Sequence, residues 1–320
     1  MKRRWGGLVL ALLTVPTGLV LAGCGSGPSA EDEAPGHARE AGVPRVRGKD
    51  LPALPLDRYE FSGRDHQRIE EARARVTQRC MRSHGFEDFP LHPGRGPAMA
   101  ESFNLVAIYV PPYGSLDLAH ARRWGYGLDP AVLKEGRDGS RHEGRTPTDA
   151  EESVLDGTGG RNGRAEVLRG RAVPEGGCAA LATRRLLQDE KNARQGSFVS
   201  ERAEKLDKAV ADDHRVRRAF RDWSRCMAGK GFTWYESPAE ASGDKAWRTG
   251  RKDGNTARTK KELATAVADV ECNHALNTAG VWWAVSAEKQ RAEVRAHKGR
   301  YEAVRAYLDR VRAIAREELG

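Results

Sequence analysis

Near the C-terminus Tyr301, Val304, Leu308, Val311 and Ala315 follow one another at alternating steps of three and four. That period aligns side chains on one face of an α-helix, and the Arg, Glu and Lys residues between them mark its solvated faces. The same spacing, with one longer gap, runs through Val199, Ala203, Leu206, Val210, Phe220, Trp223 and Met227, and predicts one long amphipathic helix. A polar loop over about 237–257 leads to a further helix predicted from Thr259 to Ala279, and the final helix is predicted from about Ala284. In the first half Ile69, Ala72, Val76 and Cys80 share a helical face, with Ser62 and Asp65 spaced to cap its start. Ser115 to Trp124 reads as a short helix with Ser115 as N-cap and Gly125 just past its end. The apolar run "FNLVAIYVPPYG", residues 103–114, reads as a strand or a buried extended piece stopped by Pro111-Pro112. Residues 134–177 are crowded with Gly and Arg and predict a long exposed loop. Inside it Thr146 as cap, Pro147 at the first helical position, the acids that follow and Gly157 spell out a local helix.

The expected fold class is therefore mainly α: disulfide-stapled helical units with long loops. Its staples come from a repeated phrase. "CMRSHGF", Cys80 to Phe86, and "CMAGKGF", Cys226 to Phe232, share Cys-Met, three variable residues and Gly-Phe. A glycine just past a helix end adopts the left-handed conformation, and the apolar residue after it folds back on the third residue from the end. Gly85 and Gly231 take the first role, Phe86 and Phe232 the second, and Met81 and Met227 the third. Each cysteine sits one position earlier, at the negative pole of a helix, which raises a thiol pKa and argues against a reactive nucleophile. Each unit is followed by one more cysteine on a helical segment, Cys178 or Cys272. Two units of similar plan suggest duplication, and the simplest pairing is Cys80 with Cys178 and Cys226 with Cys272; the crossed pair Cys80–Cys226 stays open.

The chain begins "MKRRWGGLVLALLTVPTGLVLAGCGSG", basic residues ahead of an apolar run and then small residues before Cys24. This is the anatomy of an export signal over 1–23, not of fold. A tether over 24–58, rich in Pro, Gly and Ala, precedes a first helical unit (59–197) and a second (198–320). Removing residues 1–23 takes Lys2, Arg3 and Arg4 with it and lowers the formal charge from +9 to +6. A basic exported protein is drawn to anionic headgroups and phosphate-rich wall polymers, and that compartment excludes nucleic acid as a partner. Four cysteines beside Cys24 make an even set for an oxidising compartment. No metal-ligand spacing and no catalytic motif with known mechanics occurs. The histidines, His66, His84 and His214 among them, stand singly. Trp282-Trp283 and Trp234-Tyr235 read as filling for a small helical core, with an exposed platform for sugar or for an anionic ligand beside Arg residues as the other possibility. Strand-helix alternation for two α/β lobes is missing, which disfavours a solute-binding lipoprotein.

Leu21-Ala22-Gly23-Cys24 resembles the lipobox of bacterial lipoproteins. The resemblance implies cleavage before Cys24 and palmitate-type chains on its sulfur and amino group, a membrane anchor on the outer face of the cell membrane. It implies no other cofactor. With the two Cys-Met-x-x-x-Gly-Phe ends, "WGYG" at Trp124 to Gly127 and "ADVEC" from Ala268 to Cys272, the chain resembles an actinobacterial, Streptomyces-like group of secreted lipoproteins. That likeness spans most of residues 60–280. It implies a non-enzymatic accessory role in the cell envelope, beside an ABC exporter with a peptidoglycan-binding adaptor, and a transporter complex as partner. A wall-active hydrolase is the alternative function.

Overall fold

Ser62 opens the first helix, α1 (Gly63–Ser83), through a reciprocal capping box: its hydroxyl accepts from the Asp65 amide, and the Asp65 carboxylate accepts from the Ser62 amide. The computed structural model describes residues 42–48, 51–93, 111–131, 144–158, 167–168, 170–187, 190–232, 235–251 and 255–320, with the side chains of 167, 190–194 and 196 left aside. The signal over 1–23, Cys24, most of the 103–114 run and Trp234 lie outside the described residues, as do parts of the 134–177 loop.

The other helices are α2 (Leu118–Trp124), α3 (Asp149–Asp156), α4 (Gly177–Leu187), α5 (Glu190–Ala211), α6 (His214–Gly229), α7 (Pro238–Gly243), α8 (Lys260–Leu276), α9 (Thr278–Ala296) and α10 (Lys298–Leu319). A two-residue antiparallel pair, β1 (Val167–Leu168) with β2 (Arg171–Ala172), is the sheet among the described residues. The fold is thus mainly helical. Several expected boundaries move by a few residues. Asp117 rather than Ser115 caps α2, and Thr148 rather than Thr146 caps α3, because in each case that side chain meets the amide three residues on. The long helix expected over 199–227 breaks at Asp212-Asp213, where Asp213 caps α6. The stretch expected to run from Thr259 to Ala279 turns at Asn277, in the left-handed conformation at φ 52°.

Both Cys-Met-x-x-x-Gly-Phe phrases end a helix in one geometry. The Phe86 amide donates to the Met81 carbonyl at 3.2 Å and the Gly85 amide to that of Arg82 at 2.9 Å, with Gly85 at φ 89°. Phe232 to Met227, 3.2 Å, and Gly231 to Ala228, 2.9 Å, repeat the pattern with φ 83° at Gly231. These are the two crossed bonds of a Schellman stop. Disulfides join Cys80 to Cys178, α1 to α4, and Cys226 to Cys272, α6 to α8, so the crossed pairing does not form.

Two features cut across the sequential plan of a tether and two units. Helix α10 packs on α1 and α4, and its Tyr301, Val304, Leu308 and Val311 share one buried cluster with Ile69, Ala72 and Leu186. The last helix therefore closes the core of the first half. Nor is the segment before residue 58 free along its whole length. Val46 is buried, its amide donates to Asn277 Oδ1 and Asn277 Nδ2 donates to the Pro44 carbonyl. Further on, Trp283 donates to the Pro52 carbonyl and the Leu56 amide to Gln290. Side chains of the α8–α9 turn and of α9 satisfy this extended strap, in place of a neighbouring strand.

Candidate functional site

Three helices of the first half leave an open groove of about 830 Å³ between them. Helix α1 contributes Gln67, Glu70, Glu71, Arg73 and Thr77, the next turn His92, α3 Glu152 and Asp156, and α4 Ala179, Ala180 and Thr183. The Cys80–Cys178 bridge ties two of the walls. The third is set by α3, whose capping box at Thr148 and Glu151 is reinforced by Arg145 with bonds of 2.7 and 2.6 Å. Those bonds from Arg145 hold the Glu151 carboxyl down at about 2.

Four carboxylates line the groove against one arginine and one histidine. Arg73 reaches Glu70 at 3.3 Å, and Glu71 is flanked by Arg75 at 3.5 Å and by His92 Nε2 at 3.1 Å. Glu152 and Asp156 are exposed and carry no ion pair among the described residues. The groove is thus acidic on a chain whose formal balance is +9. Leu91, Pro93 and Leu155 give it an apolar floor suited to an extended segment.

The second half places its polar groups inside. Asp269, of the "ADVEC" stretch, accepts from Trp223 Nε1 at 2.9 Å and from the Tyr126 hydroxyl, of "WGYG", at 3.3 Å. Burial pushes Asp269 up to about 8, and the same burial, with Asp269 alongside, raises Tyr126. Glu262, fully buried, accepts from the Tyr126 amide at 3.2 Å and from the Arg258 amide at 2.7 Å. Gly125 permits this at φ 61°, since a Cβ there would come within 2.6 Å of a Glu262 oxygen. The two motifs are therefore joined through a buried polar network that specifies packing. The only sign of this network in the sequence is a lone acid inside a helical stripe.

Of the residues singled out from sequence, Met81 and Met227 are fully buried, and Phe86 and Phe232 half-buried beside them in their respective apolar clusters. Cys24 lies outside the described residues. Trp282 and Trp283, 5% and 8% exposed, lie inside with Tyr113, so they offer no platform. His84 is buried, with Nδ1 2.9 Å from the Cys80 carbonyl and Nε2 3.3 Å from that of Ala172. The sulfurs of Cys80 and Cys178 come within 4.8 Å of a His84 ring nitrogen, but they are bonded to one another, and an oxidised pair offers no thiolate to a metal. His66 and His214 stand apart, each exposed. No helix among the described residues is long and apolar enough to cross a membrane.

No protein-family model matches the chain, and the searches of curated proteins and of solved structures return no match either.

Proposed function

We propose that the protein is a lipid-anchored, extracytoplasmic accessory module of the cell envelope that holds a cationic, extended segment of a membrane-protein partner in the groove between α1, α3 and α4. The observation that carries this reading is the sign of the groove: Glu70, Glu71, Glu152 and Asp156 gather on one face of a basic chain. An acidic cleft repels wall carboxylates and phosphates and attracts Lys- or Arg-bearing peptide, while the floor accepts its apolar side chains. Anchorage through Cys24 keeps the groove at the membrane face, where an exporter's outer portion is the fitting partner.

A photo-crosslinker at Thr77 or Ala180, used in native membranes, is expected to capture one membrane protein through a basic segment. Glu152→Lys with Asp156→Lys is expected to reduce that capture at least about tenfold, since two close charge pairs turn repulsive. Capture that survives the reversal overturns the reading.

A wall-active hydrolase is the second reading, and the same four carboxylates favour it. A glycosidase pairs a solvated carboxylate with one that its surroundings desolvate. Glu70, by contrast, keeps 62% of its side chain open to solvent. Release of soluble fragments from purified wall, abolished by Glu71→Gln or Glu152→Gln, would establish this reading in place of the first.

A further inference from the structure

At the C-terminal end of α2 the guanidinium carbon of Arg123 lies 4.9 Å from the ring centroid of Trp124, and that of Arg258, from the turn before α8, lies 5.3 Å from the same centroid. Trp124 and Arg258 are half-buried and Arg123 is exposed. Neither guanidinium has an ion-pair or hydrogen-bond partner among the described residues. Stacking on an indole occupies the flat face of a guanidinium and leaves its in-plane N–H edge to a ligand. Two guanidinium groups beside one ring offer donors to an anion, and stacking restricts where they can lie.

The backbone beneath is built to keep them there. Arg258 stands at φ 53°, a conformation that costs a bulky residue free energy and persists only where its surroundings impose it. The imposing group is Glu262, whose two oxygens take the amides of Arg258 and Tyr126. One carboxylate thus fixes the main chain next to Trp124 and at Arg258 together. Both of its oxygens are engaged and the residue has no exposed surface, so it is not available to pair with either guanidinium from solvent. On the far side the Ala257 amide donates to the Trp247 carbonyl, and Trp247 stacks on Tyr126.

We infer that Arg123, Trp124 and Arg258 form a binding site for a phosphate group of a phosphodiester. A phosphodiester presents two non-bridging oxygens that share one negative charge and accept guanidinium N–H bonds bidentately, so a pair of arginines suits it. Lipid headgroups and glycerol-phosphate polymers share this chemistry. The site is made of other elements than the acidic groove, so its failure leaves the groove reading standing.

The full chain is titrated calorimetrically with two probes, monomeric dihexanoyl phosphatidylglycerol and soluble poly(glycerol phosphate). Binding of either is expected, and the tighter arm identifies the source. Arg123→Gln with Arg258→Gln is expected to weaken it at least about tenfold, the loss that follows from removing charge-assisted bonds. A control of equal charge change at exposed positions, Arg221→Gln with Arg295→Gln, is expected to alter affinity less than about twofold. Should Arg258→Gln melt early, Arg258→Gly removes the same guanidinium while suiting the positive φ. Trp124→Phe should retain binding better than Trp124→Ala. Failure of both probes to bind the natural chain overturns the site, and so does equal weakening in the arginine pair and its control.

Discussion

Asp269 departs from the solution behaviour of a carboxyl, and that departure has a sign that can be measured. Burial raises its folded pKa to about 8, above the ordinary value of 3.8. Between those values the folded protein holds a proton that the unfolded chain has released, so its contribution is complete below about pH 4 and is lost as pH rises through about 8. The slope is at most about 1.4 kcal/mol per pH unit. Asp269→Asn keeps one oxygen to accept from Trp223, requires the Tyr126 hydroxyl to turn from donor to acceptor as a protonated carboxyl would, and cannot titrate. Denaturant unfolding at intervals from pH 4 to 8 should show natural stability falling relative to the variant. A difference that stays constant over the interval would mean Asp269 is ionised in the fold. Other groups do not disguise this, because their effects are common to both proteins: Glu151 and Asp65, each held down at about 2, lose their contributions only as pH falls below about 4.

Helix interiors were legible from sequence because one buried face repeats every three or four residues, and the stops at Gly85 and Gly231 because methionine, glycine and phenylalanine each have one role at fixed spacing. The joints between helices were less so. Asn277 ends α8 and starts α9 with no change in the apolar pattern, since Leu276, Ala279 and Val281 are buried on both sides of it. Its reason is nonlocal: its amide group serves Pro44 and Val46, more than two hundred residues earlier. No window of sequence around Asn277 contains that fact, and none around Val46 distinguishes a strap from a tether. The pairing is testable at that element. Asn277→Ala strands a buried amide and places alanine at φ 52°, and should cost about 2–4 kcal/mol. Asn277→Gly relieves only the backbone and should fall between the two. Trypsin should then cut at the exposed Arg45 and Arg47 in the alanine variant well before the natural protein is cut there.

At the scale of the whole molecule the repeated plan of two cysteine-bearing helix pairs, α1 with α4 and α6 with α8, does not yield two independent units. Each disulfide closes a loop inside its own half, with separations of 98 and 46 residues, and each constrains the unfolded chain by about 4–5 kcal/mol on the loop-closure account. The halves are joined by α2 packed on α8 and by α10, whose apolar stripe supplies half of the buried cluster around Ile69, Ala72 and Leu186. Ion pairs follow the same route: Arg185 of α4 meets Glu318 at 2.7 Å, and Arg312 meets Asp65 of the first capping box at 3.0 Å. A fragment of residues 59–197 keeps its disulfide and loses that helix. Burial of each large apolar side chain contributes about 1.5–3 kcal/mol, so withdrawing Tyr301, Val304, Tyr307, Leu308 and Val311 removes more than the bridge restores. The oxidised fragment should therefore show helical circular dichroism without a cooperative melt, and adding a peptide of residues 297–320 in trans should restore one. A fragment that melts cooperatively alone would show that the first half owns its core, and the groove between α1, α3 and α4 would then owe nothing to the C-terminal helix.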